Sequence, residues 1–405
     1  MPDADTNTSL TIEKLVYGGQ GLARRKGRVV LVPFVLPGET VSVKEETGRR
    51  GLLEAQLDEV LTPAASRAEP ACPFFQRCGG CQYQHAAYPA QLEQKREILR
   101  EVLRRVGKID APEEIRVIAG EPWGYRNRSQ FHLAHGEIGY FGPGSHELVP
   151  VDRCPISSPK INEALTALRA MLPERRFPNF VRSIEIFTNE TAVQLNVIET
   201  ARPVSKRFFE WCAERIPGYA DDAIEYAVGQ ENYRVRHRSF FQVNRFLIEA
   251  MVEAALEGAQ GRAGLDLYSG AGLLSIPLAH RFAEVTAVES GRSAVQDLEY
   301  NAERAGVRVA ARREPVEDFL KALTQRPDFV LADPPRAGLG KFVARELCRL
   351  KPPRLNIAAC DPATLARDLG ALIAGGYRLD GLTLIDLFPQ TFHIEAIARL
   401  IWADV

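Results

Sequence analysis

The last third of the chain constrains its fold more than any other stretch. AGLDLYSGAGLLSIPLAHRF reads as strand, glycine loop and helix, and EVTAVESGRSAVQDLEYNAERAG as strand, acid and helix. PDFVLADPPRAG is a strand with a polar loop, RLNIAACDPATLARDLGALIAGG a strand, cysteine loop and helix, and YRLDGLTLIDLFPQTFHIEAIARLIW a pair of closing strands. Strands alternating with helices predict a doubly wound α/β domain with a mostly parallel sheet. Ligands of such sheets sit beyond the carboxyl ends of the strands. Glu289, Asp333 and Cys360 each follow a predicted strand, so all three should line one crevice.

The loops carry chemistry. In DLYSGAG, Gly270 and Gly272 let the backbone turn tightly against a nucleotide, and Glu289 can accept from ribose hydroxyls. A dinucleotide fingerprint would place a third glycine at position 275, where this chain has Ser275. That disfavours NAD and favours a nucleoside without a pyrophosphate, such as S-adenosylmethionine. Two prolines in ADPPR stiffen the loop that presents Asp333. Cys360 precedes a helix, and a helix N-terminus together with Arg336 would lower its thiol pKa. Cys212 and Cys348 lack such a setting and read as structural. In FPQTFHIEAIA, His393 and Glu395 would share one face of a strand, with Glu395 a candidate general base.

Upstream, CPFFQRCGGCQYQH sets Cys72, Cys78 and Cys81 within ten residues. The opening MPDADTNTSL is polar and acidic, unlike a signal peptide, and no apolar run approaches a membrane span. A cytoplasmic protein with reduced thiols is therefore expected. Clustered cytosolic cysteines bind metal or do redox chemistry more often than they form disulfides. Cys154, in VDRCPISSP, is the best fourth ligand. Spacing alone leaves zinc and an iron–sulfur cluster level, although Gly79 and Gly80 would let N–H groups approach the sulfurs.

Residues 10–61 carry short β-rich runs broken by Gly-Gly, Lys-Gly, Pro-Gly and Thr-Gly turns, which predicts a five-stranded OB-like barrel. Arg24, Arg25, Lys26, Arg28, Arg49 and Arg50 gather at its turns, as RNA contacts or as solvated tips. TPAASRAEPA reads as a linker, and residues 86–107 as one helix. In YRVRHRSFFQVNR, a strand would put Arg234, Arg236 and Arg238 on one face, a candidate phosphate-contacting stripe. At 405 residues the chain has room for two or three domains. Its formal net charge of -1 excludes a wholly basic nucleic-acid binder, so RNA binding must come from local patches.

Taken together, CPFFQRCGGC with Cys154, SFFQVN, DPPR, CDPATLARD and FPQTFHIE resemble the RNA uracil-5-methyltransferase family over nearly the whole chain. The resemblance is to the branch that modifies 23S ribosomal RNA. It implies three domains: an N-terminal OB-like TRAM β-barrel (1–64), an α+β central iron–sulfur domain (65–230) and a class I, Rossmann-like methyltransferase domain (231–405). It implies a 4Fe-4S cluster on Cys72, Cys78, Cys81 and Cys154, Cys360 as nucleophile and Glu395 as base. Gln242, Tyr268, Gly270, Gly272, Glu289 and Asp333 would line the S-adenosylmethionine and uracil pocket. The expected partner is RNA, 23S ribosomal RNA above all, with no membrane and a monomeric protein. In the tRNA-modifying branch the barrel and cluster are typically missing. Three residues depart from the family pattern: Leu273 and Val316, where polar side chains are common, and Asp361, where Asn is common. The rivals are a cytosine-5 RNA methyltransferase, which would want a cysteine after the Asp strand, and a non-catalytic iron–sulfur RNA-binding protein.

Overall fold

The computed structural model describes residues 8–49 and 51–403. They form two compact units. One runs up to Ile98 and adds Tyr140–Val151 and Phe388–His393; the other comprises Leu99–Gly139, Asp152–Leu387 and the chain from Ile394 onward.

The first unit opens with β1 (Thr8–Thr11), β2 (Lys14–Leu15), β3 (Gln20–Arg25), β4 (Arg28–Pro33), β5 (Thr40–Arg49) and β6 (Leu52–Thr62). They make one sheet in the order β1-β5-β6-β4-β3-β2, six strands rather than the five expected. Leu10 on β1 and Ala23 on β3 have three strands between them in the sheet, yet both join one buried core with Val30, Val32, Val41 and Leu53. The sheet therefore curls around its own interior. Lys26 and Gly27, with φ of 48° and 78°, form the tight β3–β4 turn, whose mirror-image geometry suits a hairpin. Of the basic residues expected at the turns, Arg24 pairs with Glu13, and Arg50 lies outside the described residues.

The segment that reads as a linker is instead docked. Glu39, fully buried, accepts from the Leu36 and Ala64 N–H groups and takes both Nε and Nη2 of Arg67, at 2.6 and 2.8 Å. Burial alone would raise this carboxyl's pKa, but Arg67 and the two N–H groups outweigh it and hold it below the usual carboxylate range. Farther on, Tyr88–Val102 is α-helical and Leu103–Gly107 a π turn, so the single helix of the sequence reading changes hydrogen-bonding pattern at Leu103. Phe388–His393 is pinned by hydrogen bonds from earlier in the same unit. The Gln82 and Tyr83 N–H groups both donate to the Gln390 carbonyl, Gln91 Nε2 donates to the Gln390 side chain, and Lys95 Nζ reaches the Phe388 carbonyl.

The remaining strands are β7 (Arg116–Ile118), β8 (Arg128–Ala134), β9 (Glu137–Phe141), β10 (Leu148–Pro150), β11 (Val181–Thr188), β12 (Val193–Thr200), β13 (Ile224–Val228), β14 (Glu231–Val235), β15 (Ala263–Leu267), β16 (Glu284–Glu289), β17 (Ala310–Arg313), β18 (Phe329–Ala332), β19 (Arg354–Ala359), β20 (Tyr377–Ile385) and β21 (Glu395–Trp402). In the second unit β8 pairs antiparallel with β9 and with β11, and β11 with β12. The main sheet runs β17-β16-β15-β18-β19-β21-β20-β7. From β15 to β19 its strands are parallel, and β21 enters antiparallel between β19 and β20. Every residue of β18 is buried, as a strand covered on both faces requires. Strand order reverses at β15, which lies between β16 and β18, and an open sheet presents its ligand crevice at such a reversal. No helix among the described residues is long and apolar enough to cross a membrane.

Because Glu39 is enclosed, Arg67→Ala leaves a buried carboxylate unpaired and should cost about 3 kcal/mol of stability in denaturant titrations near neutral pH. The sign follows from the depressed pKa. The pair stabilises above the unfolded-state value, so the deficit should shrink as pH falls through Glu39's folded pKa.

Candidate active site

Four loops at the carboxyl side of the main sheet carry the expected residues, all in the second unit. After β15, Tyr268 adopts a left-handed φ of 63°, a conformation uncommon for a bulky non-glycine residue. Gly272 has φ 91°, and a Cβ there would stand 2.6 Å from Leu298 Cδ1, so only glycine fits. Glu289, at the end of β16, accepts from the Gly270 N–H at 3.1 Å and the Gly291 N–H at 2.6 Å. One carboxylate thus fixes both loops, and each oxygen keeps a further lone pair for a hydroxyl.

Asp333 follows β18 and Cys360 follows β19. The antiparallel register Ala359↔Ala396 sets Cys360 beside Glu395, the first residue of β21. Gln242 points its amide at Asp333 Oδ2, at 3.4 Å. Burial pushes the Cys360 thiol up to about 11; Glu395 adds to this, Arg336 opposes it and Asp333 adds again. This reverses the lowered thiol pKa expected from the helix N-terminus, because desolvation and two acids outweigh one exposed guanidinium. Burial likewise lifts Asp333 to about 7. Burial, then Asp333, holds Glu395 well above the carboxylate range, with Arg336 opposing. His393 does not share a strand face with Glu395, because β21 begins only at Glu395.

The cysteine loop and the Asp-Pro-Pro loop are latched together. Asp361 caps the helix Pro362–Ala374 by accepting from the Ala363 and Thr364 N–H groups, a task Asn performs equally well. One turn on, Asp368 accepts from the Leu339 N–H at 2.7 Å, and Arg367 donates to the Ala337 carbonyl at 2.7 Å. Leu273 is buried, and its carbonyl takes the Tyr233 hydroxyl. Val316 is buried at the start of the helix Val316–Ala322.

Sequence reasoning missed three residues. Asn127 donates to the Gln242 carbonyl at 3.0 Å, and Arg128 to the Ser239 carbonyl at 3.0 Å, so GYRNRSQ positions SFFQVN. Asp266, fully buried beneath the glycine loop, takes the Ser275 hydroxyl; burial still raises it to about 7. An asparagine–arginine pair before a strand and an acid four residues ahead of Gly270 were the available signals. The arginine stripe is corrected. β14 ends at Val235, and Arg234 and Arg236 each lie 3.5 Å from the buried Asp297, which needs cationic partners. Arg238 alone is exposed.

All seven cysteines are thiols rather than half-cystines, and Cys212 is buried, as a structural role requires. Cys72, Cys78, Cys81 and Cys154 are half-buried, and the Gly80 N–H approaches Cys78 Sγ at 3.4 Å. Among the described residues no three His, Cys, Asp or Glu side chains assemble to hold a metal ion. Neutral thiols have no mutual attraction, and convergence of such ligands is driven by the ion itself.

Comparison with known proteins bears on this arrangement. The model of the tRNA (Uracil-5-)-methyltransferase family matches residues 183–401. The 23S rRNA (uracil(1939)-C(5))-methyltransferase RlmD of Pectobacterium atrosepticum is 33% identical, over 97% of this chain and 93% of its own. An uncharacterized RNA methyltransferase of Aquifex aeolicus is 34% identical, over 98% and 99% respectively. The tRNA (uracil-54, C5)-methyltransferase of Pyrococcus abyssi, solved with S-adenosyl-L-homocysteine, superposes with a TM-score of 0.80 at 26% identity, covering 98% of this chain and 100% of its own. That cover takes in β1–β6, so the N-terminal sheet does not by itself separate enzymes of ribosomal RNA from those of tRNA. An α/β methyltransferase sheet with Asp333, Cys360 and Glu395 at one edge, and a family match spanning more than half its length, make this chain a member of the tRNA (uracil-5-)-methyltransferase family.

Proposed function

We propose that this protein transfers a methyl group from S-adenosylmethionine to carbon 5 of a uridine in 23S ribosomal RNA, through a covalent bond between Cys360 and carbon 6 of the base. The observation that carries the reading is the register that sets a thiol, Cys360, beside a carboxyl, Glu395, next to a glycine loop built for a nucleoside. The RlmD relatives support ribosomal RNA. A cytosine-5 enzyme is disfavoured because DPPR supplies no thiol after β18.

Carbon 5 of uracil is a weak nucleophile. The Cys360 thiol gives its proton to solvent, and the thiolate sulfur adds to carbon 6, which turns carbon 5 into an enolate-like carbon. S-adenosylmethionine supplies the electrophilic methyl group that this carbon takes. Glu395 then accepts the carbon-5 proton, the double bond re-forms, and the carbon–sulfur bond breaks to return Cys360 as thiolate. Gln242 and Asp333 offer a donor and an acceptor to the edge of a flat base. Tyr268, Gly270, Gly272 and Glu289 hold the donor's nucleoside, with Glu289 accepting from its ribose. With its thiol lifted to about 11, Cys360 rests protonated, and Arg336 is the nearby charge that favours its ionisation. The target uridine must leave its stack to reach these groups.

The N-terminal sheet serves as a TRAM-type RNA-binding barrel, and Cys72, Cys78, Cys81 and Cys154 carry a 4Fe-4S cluster that organises the RNA-binding region. Four thiols are the donor set such a cluster takes, and a backbone N–H already aimed at Cys78 Sγ suits a cluster sulfur.

Incubation with labelled methyl donor and either 23S ribosomal RNA or tRNA, followed by mapping of the modified base, tests the reading; 5-methyluridine in tRNA alone would move the substrate. RNA with 5-fluorouridine at the target should attach covalently to the wild type and not to Cys360→Ala, since fluorine cannot leave as a proton; an adduct that survives the substitution excludes Cys360. Glu395→Gln should still add and methylate but stall at elimination, so denaturing gels should show methylated RNA bound to protein and turnover lowered by about 10²-fold. Free product at wild-type rates would remove Glu395 from the mechanism. Protein purified without oxygen should be brown with about four irons per chain, and stoichiometric zinc without visible absorbance would overturn the cluster.

A further inference from the structure

Two adjoining hollows in the second unit share the wall Arg202–Val204. One, of about 740 Å³, is lined by Asn196, Tyr219, His237 and Arg238. The other, of about 800 Å³, is lined by Arg175, Arg176, Arg207 and Trp211. With Arg202, five guanidiniums reach these walls, against the carboxyls of Glu210, Glu214 and Asp221. None of the five forms an ion pair with a described residue. Arg202 lies over the Phe180 ring, 4.2 Å from its centre, which holds its charge at the shared wall.

One end of the groove leads toward the reaction. Arg238 takes a left-handed φ of 65°. Ser239, next to it, is fixed by Arg128 at its carbonyl and by its own hydroxyl donating to Asp297 at 2.6 Å. Phe240 then stands 60% exposed, and Gln242 faces Asp333. Four residues separate Arg238 from Gln242, a reach of at most about 14 Å. An exposed phenylalanine between a row of unpaired arginines and a base pocket is the pattern of a single-strand track, where cations follow phosphates and an aromatic ring stacks a base.

Resting on the RNA methyltransferase reading, we propose that this groove binds single-stranded RNA flanking the target uridine, with Arg175, Arg176, Arg202, Arg207 and Arg238 on its phosphates and Phe240 stacking an unpaired base at the pocket entrance. The groove needs the strand open, as does delivery of the uridine.

The test uses the full chain with a 23S ribosomal RNA fragment and with oligouridine. Arg175, Arg176 and Arg207 are exposed and hold no internal bond, so the triple change to Gln should fold normally. The slope of log affinity against log salt should fall by roughly 2, at about 0.7 for each single-strand phosphate contact. KM for the fragment should rise while kcat at saturating RNA stays unchanged. Phe240→Ala should weaken binding by about 5- to 150-fold with the slope unaltered. An unchanged slope and KM in the triple variant would overturn the proposal, as would a fall in kcat alone. Wild-type protein that binds both RNAs with the full salt slope yet transfers no label would defeat the methyltransferase reading and leave the groove standing.

Discussion

One strand running against its neighbours makes the site. β21 enters antiparallel between β19 and β20, so its first residue falls at the sheet edge where the parallel strands end. Had β21 been parallel, Glu395 would lie at the opposite edge, a strand length from Cys360. The register is also strict. Side chains alternate along a strand, so a slip of one residue would turn Glu395 to the other face of the sheet. Ala396, Ile397, Ala398 and Leu400 are all buried, so the strand is covered on both faces, and its pairing of Ala396 with Ala359 sets the carboxyl beside the thiol.

The cost of this arrangement is electrostatic. Cys360, Asp333 and Glu395 interact with one another in a poorly solvated pocket, and Arg336 is the cation that opposes the raised pKa values of Cys360 and Glu395. Ionising any one of them penalises the other two. The resting thiol therefore holds its proton, which protects it from indiscriminate reaction. A bound cation would shift that balance. The backbone around the pocket is correspondingly overdetermined: Asp368 and Arg367 tie the Asp-Pro-Pro loop to the helix after Cys360, and Asn127 and Arg128 tie down SFFQVN. Movement of either loop would change the separation of like charges.

The sequence was most readable where one physical rule dominated. Alternating strands and helices gave the main sheet, and strand ends located Glu289, Asp333 and Cys360, because chain polarity alone decides which edge those residues reach. Reading failed where a distant partner decided the outcome. The arginine stripe was misread because Asp297, some sixty residues further along a helix, claims Arg234 and Arg236 and ends the strand between them. TPAASRAEPA reads as a linker by composition, and only the burial of Glu39 makes Arg67 an anchor. The thiol pKa was misjudged in sign because helix position and one arginine are visible in sequence, whereas enclosure is not.

Two residues show how a local departure can preserve a fold. Ser275 stands where a dinucleotide site would have a glycine, and its hydroxyl bonds Asp266 beneath the loop. A glycine there would leave the fully buried Asp266 without that donor, at a cost of about 1–3 kcal/mol. The serine thus keeps an acid buried under Gly270 and Gly272, where the positive φ values of the loop already demand a rigid base. Asp361, in place of the family's asparagine, costs nothing of this kind, because either side chain can accept from both N–H groups at the helix start. What it changes is charge: a carboxylate now directly follows Cys360 in the chain.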